Sequence, residues 1–352
     1  MKSLKALILF ILIALVVAGC SSAEQASPNK ETEGLTIYTT LYPIQYAAER
    51  IGGDTISVES VFPPGVDAHT FEPTTRDMTT IADGDAFIYM GAGMEGFAET
   101  AAEALSSQEV EMVELGQNEE LFQPSEGSAE DEHNDEAHEH HDGDEHHEDE
   151  QHDEGEHQDA HGENQDSHGH EGDDGHNHGD HNPHVWLDPV RMIEMAEMVK
   201  EELIELNPEA EQTYEENFTS LKDDLHQLDE EFVSSIGNKE DKHILVSHAA
   251  YGYWEERYGI EQISVNGLSS SSEPSQKELT QIIDLADEYD LEYMIYEQNS
   301  SNRVSEIIQE QLGMKKAQIH NVSVLTEEDI DNGEDYLSLM KQNIEVLDEV
   351  TN

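Results

Sequence analysis

Fourteen of the chain's 20 histidines fall within one stretch: His133, His138, His140, His141, His146, His147, His152, His157, His161, His168, His170, His176, His178 and His181. The residues between them are mostly Asp, Glu, Gly, Asn and Gln, with no lysine or arginine and almost nothing apolar. Imidazoles and carboxylates are the ligand types that suit zinc, nickel, copper and iron. A segment this acidic and this poor in apolar side chains is predicted to be disordered. Ligands that must give up chain entropy to close around an ion bind weakly, so the run is expected to collect several ions rather than hold one tightly. The alternative, a charged solubilising spacer, has no use for so many histidines.

Six histidines lie outside the run: His69, His184, His226, His243, His248 and His320. His69 sits in PPGVDAHTFEP, a rigid turn after the strand TISVESVF, where side chains serve ligands more often than structure. His184 follows closely on the end of the histidine run, and His248 ends the buried-looking strand ILVSH. Three imidazoles with one further oxygen or water ligand suit a tetrahedral zinc ion. Protonation should compete with metal at each of them below about pH 6.5. Asp67 and Glu72 flank His69 and are candidates to orient its ring. Tyr251, Tyr253 and Trp254 are assigned to packing between lobes, and His226 and His243 to solvent.

The elements that must carry these residues follow from periodicity. From Leu35 the chain alternates short apolar strands (LTIYTT, TISVESVF, AFIYM) with amphipathic segments such as YPIQYAAERIG, the pattern of β and α units feeding a mostly parallel sheet. Asp188 is a plausible N-cap, followed by Pro189 at a first helical position. Tyr214, Phe218, Leu221, Leu225, Leu228, Phe232 and Ile236 recur three or four apart, which predicts one long helix over 209–236 with a narrow apolar stripe, about 40 Å long. A second α/β series follows, with Ser275 and Glu278 as a capping box, YMIYE as a strand, and AQIHNVSV as another. The predicted fold is α/β, two lobes with mostly parallel sheets joined by one long rigid helix. Its parts are a leader over 1–20, a tether over 21–34, a first lobe over 35–208 interrupted by the insertion 123–181, the helix, and a second lobe over 237–352. A ligand is expected in the crevice at the carboxyl ends of the strands, between the lobes.

The amino terminus has Lys2 and Lys5 ahead of an apolar run that ends in VAGC, with Cys20 the single cysteine. This is the make-up of a secretory signal, and VAGC resembles a bacterial lipoprotein cleavage box, which implies lipidation at Cys20 and anchoring on the outer face of the cytoplasmic membrane. The alternative is a plain signal anchor with a free thiol. One cysteine excludes a disulfide scaffold. A net charge of −65 opposes binding to nucleic acid or to anionic lipid. Acidic residues also crowd the helices outside the run, as expected of a surface adapted to ion-rich surroundings.

The segments LYPIQYAAERIGG, VFPPGVDAHTFEPTTRD, NPHVWLDP, ILVSHAAYGYWEERYGI, NGLSSSSEPS and TEEDIDNGEDYLSLM together resemble zinc-binding lipoproteins of the ABC-transporter substrate-binding group, the high-affinity zinc uptake kind. The resemblance spans nearly the whole chain after the leader. It implies Zn2+ held between two lobes on His69, His184 and His248, and a monomer that passes the ion to a membrane permease powered by an ATPase. It also implies zinc rather than manganese, because manganese-binding relatives look as though they carry a carboxylate at position 248. Relatives whose ligands all come from side chains place a carboxylate where this chain has Ser323, a poor zinc ligand. The fourth place then falls to water, to a histidine of the run, or to His320. Strand alternation, which would turn residues 320 and 323 to opposite faces, weighs against His320. Zinc buffering or zinc-dependent adhesion is the alternative reading. An exported zinc hydrolase is more remote, since no HExxH-type signature is present and only Glu72 or Glu297 offers itself as a base.

Overall fold

The computed structural model describes residues 34–123, 181–298 and 303–351. Cys20 and the histidines from His133 to His178 lie outside the described residues. So do the leader and the tether.

Each half of the chain builds one four-stranded parallel sheet. The first comprises β1 (Leu35–Thr39), β2 (Ile56–Ser60), β3 (Ala86–Tyr89) and β4 (Glu111–Glu114), ordered β2-β1-β3-β4. The second comprises β5 (His243–His248), β6 (Glu261–Asn266), β7 (Tyr293–Glu297) and β8 (Lys315–Ile319), ordered β6-β5-β7-β8. Composition explains who sits where. The central strands AFIY and HILVSH are buried almost throughout, whereas edge strands such as ISVES alternate between half-buried and exposed residues. In both sheets the chain first moves to one side of the opening strand and then to the other, which leaves a switch point at the carboxyl ends of β1 and β5.

The helices of the first lobe are α1 (Tyr42–Gly52), α2 (Thr75–Ala82), α3 (Ala98–Leu105) and α4 (Pro189–Leu206). Asp188 caps α4 by accepting from the Val190 amide, as its sequence position predicts. The long helix α5 runs Glu211–Ile236, about 39 Å at 1.5 Å per residue, and buries all seven stripe residues. It starts two residues later than the expected Glu209 because Pro208–Ala210 form a separate tight turn. The second lobe adds α6 (Gly252–Tyr258), α7 (Gln276–Glu288), α8 (Arg303–Leu312), α9 (Glu327–Asn332) and α10 (Tyr336–Val350). Ser275 and Glu278 form the predicted capping box on α7.

One expectation changes. The strand expected over AQIHNVSV is Lys315–Ile319; it stops before His320, and three residues past its end Val322 takes a left-handed backbone, φ 59°. Strand alternation therefore does not govern residues 320 to 323. The lobes do not keep wholly separate cores. One apolar cluster runs from the first sheet through α4 and α5 into the inner face of the second lobe, where Trp254, Tyr258 and Tyr336 join it. Only the outer side of the second sheet, around Leu245, Met294 and Ile308, forms its own cluster.

Candidate metal centre

Three loops and strand ends bring His69, His184 and His248 together. His248 is the last residue of β5, His69 lies in the turn after β2, and His184 lies just before the short turn that leads into α4. One ring nitrogen from each falls within 4.8 Å of the other two. The rings stand 4.9 to 5.5 Å apart between centroids. His69 Nε2 and His184 Nε2 are 3.3 Å apart. Two nitrogens bound at about 2.05 Å to one tetrahedral ion would be separated by about 3.3 Å. His184 and His248 are buried and His69 is half-buried. A cavity of about 450 Å³ opens over them, lined from the first lobe by Asp67 and Met94 and from the second by Glu297, Gln298, Asn321 and Ser323, among others.

The partners of each ring decide which nitrogen faces the cavity. His184 Nδ1 is 2.7 Å from Asn182 Oδ1, an acceptor, so the proton stays on Nδ1 and Nε2 offers its lone pair. His248 Nδ1 donates to Glu297 Oε1 at 2.7 Å, and its Nε2 donates to the Leu268 carbonyl at 2.8 Å. Burial favours the neutral ring, but the Glu297 carboxylate and the bond to Leu268 outweigh it and raise the pKa of His248. Burial likewise pushes Glu297 up, and His248 with hydrogen bonds from Asn321 and Tyr251 brings it net below the usual carboxylate value. To hold an ion, His248 Nε2 must release its proton and leave the Leu268 carbonyl.

Other assignments are corrected. Asp67 accepts the backbone amide of His69 on Oδ1 at 2.9 Å and the hydroxyl of Ser270 on Oδ2 at 2.5 Å, so it ties the His69 turn to the second lobe. Glu72 is exposed. Tyr251 and Tyr253 do more than pack: the first donates to Glu297 at 3.2 Å, the second to the Asn182 carbonyl at 2.6 Å. His226 is exposed as expected. His243 is half-buried rather than free in solvent: it stacks on Tyr289 with ring centroids 3.6 Å apart, between the carboxylates of Asp241 and Glu261. His320 has both nitrogens engaged: Nδ1 accepts from the Val322 amide at 2.9 Å, and Nε2 bonds Asp329 at 3.0 Å. It stands outside the histidine cluster. Ser323 lines the cavity, and its hydroxyl donates to Asn321 Oδ1 at 2.8 Å.

Glu297, Asn182 and Asn321 are absent from the sequence-based ligand set. The signal for Glu297 was present in the strand YMIYE. β7 lies beside β5 in parallel with Val246 opposite Ile295, so two residues further His248 meets Glu297 on the same face. The pairing of β5 with β7 rather than with another strand is what the sequence did not display.

His181, the last histidine of the run, stacks on Phe122 with ring centroids 4.6 Å apart and lies 3.3 Å from Glu119. The chain therefore leaves for the histidine-rich stretch and returns from it at one place, three residues from His184.

The family model described as ZnuA, zinc-uptake complex component A periplasmic, matches residues 37–350. Among curated proteins, the zinc-binding lipoprotein AdcA of Streptococcus pneumoniae (strain ATCC BAA-255 / R6) is 28% identical over 345 residues, covering 98% of this chain and 60% of that protein. The high-affinity zinc uptake system protein ZnuA of Bacillus subtilis (strain 168) is 27% identical over 342 residues, covering 96% of this chain and 95% of that protein. The chain thus spans about 60% of the length of the first of these relatives. The solved Zn(II)-bound ZnuA-like domain of Streptococcus pneumoniae AdcA superposes with a TM-score of 0.64 at 25% identity, covering 90% of this chain and 99% of that one. A laminin-binding protein of Streptococcus agalactiae, at 21% identity and a TM-score of 0.68, shares the fold.

Proposed function

Because the chain belongs to the family of zinc-uptake complex component A, we propose that it is the extracytoplasmic binding component of an ABC importer, which takes Zn2+ between its lobes on His69, His184 and His248 and hands it to a membrane permease. The observation that carries this reading is the convergence of three ring nitrogens within 4.8 Å from two lobes. Their chemistry supports it: imidazole nitrogen suits zinc, whereas manganese and magnesium prefer oxygen. The names of the zinc-binding AdcA and zinc-uptake ZnuA relatives support the same cargo.

The anchor belongs to this proposal too. Lipidation at Cys20 would hold the protein at the outer face of the membrane, and the AdcA relative is named a lipoprotein. Among the described residues no helix is long and apolar enough to cross a membrane. The stretch from His133 to His181 would gather ions and release them beside His184, since its last member stands three residues ahead of His184 in the chain.

The hydrolase reading rests on Glu72 or Glu297 as the base. Both oxygens of Glu297 are taken up by His248, Tyr251 and Asn321, both of Asp67 by His69 and Ser270, and Glu72 faces solvent. Calorimetry on His248→Ala should show loss of the tight zinc site with the weak sites of the histidine run intact. An unchanged tight site would overturn the assignment.

A further inference from the structure

The geometry points to Glu297 as the positioning residue of the metal centre: acting through His248, it supplies the negative charge that the ligand set itself lacks and fixes which imidazole nitrogen meets the ion. The inference rests on the three-histidine zinc reading and deepens it.

Three neutral imidazoles leave a zinc ion with its full double charge, and position 323 offers a hydroxyl where an anion would neutralise part of it. Three carboxylates line the cavity among the described residues. Asp67 and Glu273 are exposed, where solvent screens them. Glu297 is buried, 7% exposed, and lies directly behind a ring that faces the cavity. A buried charge is screened far less, so its field reaches the ion through the imidazole.

The carboxylate is itself held from three sides. Tyr251 donates to Oε1 at 3.2 Å and Asn321 Nδ2 to Oε2 at 2.7 Å. Asn321 in turn takes the Ser323 hydroxyl at 2.8 Å and the Ser323 amide at 3.0 Å. The side chain at 323 is therefore linked to the buried charge through one amide, which couples the position without a carboxylate to the one that has it.

Glu297 also settles the tautomer. His248 has two acceptors, Glu297 at Nδ1 and the Leu268 carbonyl at Nε2. A hydrogen bond to an ionised oxygen is about twice as strong as one to a neutral oxygen, so the neutral ring carries its proton on Nδ1, against Glu297. Nε2 is thereby freed for the ion. Without the carboxylate, the neutral ring would keep its proton on Nε2, facing Leu268, and would have to change tautomer before the ion could bind.

The test uses the full chain with zinc as the probe and a competing chelator at one fixed pH. Glu297→Ala should weaken the tight site about 100-fold and Glu297→Gln, which keeps an acceptor but not the charge, about 10-fold, within the range seen when the partner of a ligating histidine is lost. The sites of the histidine run should not change. Nitrogen-15 spectra of the zinc-free protein should show the neutral His248 ring protonated on Nδ1 in the parent and on Nε2 in Glu297→Ala. If either variant fails to fold, Tyr251→Phe removes one hydroxyl from Glu297 and should weaken zinc about threefold. Parent-like affinity in folded Glu297 variants, or in Tyr251→Phe where they do not fold, overturns the role of Glu297. An unchanged tight site in His248→Ala overturns the three-histidine reading instead.

Discussion

At the scale of single residues, Ser323 and His320 show how similar positions acquire different work. Ser323 lines the cavity with its hydroxyl already donated to Asn321, so it contributes no charge to an ion. Replacing it with glutamate should tighten zinc binding by an order of magnitude or more, read by chelator competition; no gain would mean that another ligand already completes the site. His320 is held as a neutral ring because Nδ1 must stay unprotonated to accept the Val322 amide. Burial lowers its pKa, more than its Asp329 partner raises it. The unfolded chain therefore takes up this proton near pH 6.5 while the folded protein still resists it, so stability is complete above about pH 6.5 and falls as the pH drops from there toward the lower folded pKa. Asp329 adds a later loss. Its pKa is lowered because hydrogen bonds from Thr326 and His320 outweigh its burial, so its contribution goes only below the usual carboxylate range. His320→Asn keeps an acceptor for Val322 without a titrating group. Urea unfolding of the zinc-free protein should give it a flatter dependence than the parent between about pH 6.5 and 5, where the His320 proton is linked to folding.

At the scale of elements, α5 is the seam of the molecule rather than a strut standing between two separate bodies. Phe232 is fully buried on it and stacks on Tyr258 of α6, with ring centroids 4.7 Å apart. One turn earlier, Asp229 receives Arg257 at 2.6 Å and the Tyr258 hydroxyl at 2.9 Å. Arg257 also reaches Asp188, the cap of α4, at 3.5 Å. Phe232→Ala should therefore cost about 3 to 5 kcal/mol of unfolding free energy, the usual range for a buried phenylalanine, measured by urea denaturation of the zinc-free protein. A loss below about 1 kcal/mol would mean that the helix packs only loosely on the second lobe. The segment bearing His184 is fastened in the same way. Trp254 Nε1 donates to the Leu187 carbonyl at 2.7 Å, Trp186 Nε1 to the Asn321 carbonyl at 2.8 Å, and the Tyr336 hydroxyl to the Trp186 carbonyl at 2.6 Å. His184 precedes α4 of the first lobe in sequence, yet the second lobe holds the turn that follows it.

At the scale of the whole molecule, the two ends of the insertion meet on the folded body, where Phe122 stacks on His181. Arg191, buried in α4, donates to the Leu121 and Gln123 carbonyls and forks onto Glu256 of the second lobe at 2.7 and 2.8 Å. The root of the insertion is thus fixed on both sides, by Arg191 before it and by the Phe122 stack on His181 after it. A short linker in place of residues 124–180 should leave the fold and one tight zinc site unchanged while removing the weak sites, as titration calorimetry would register. Uptake by cells starved of zinc should fall, and an unaltered rate would count against the gathering role.

Residue types and their periods determined much of this protein. The stripe from Tyr214 to Ile236 fixed a helix because only a 3.6-residue repeat places those seven side chains on one side, and HILVSH could only be a strand buried on both faces. The pairing of β5 with β7, which sets Glu297 behind His248, was decided in three dimensions, because any of several apolar strands satisfies the same local pattern. So was the fate of His320, where a left-handed turn at a β-branched residue overrides alternation. Local sequence determines which faces must be buried; which buried faces meet, and which polar groups are thereby forced to find one another, depends on packing the entire chain at once.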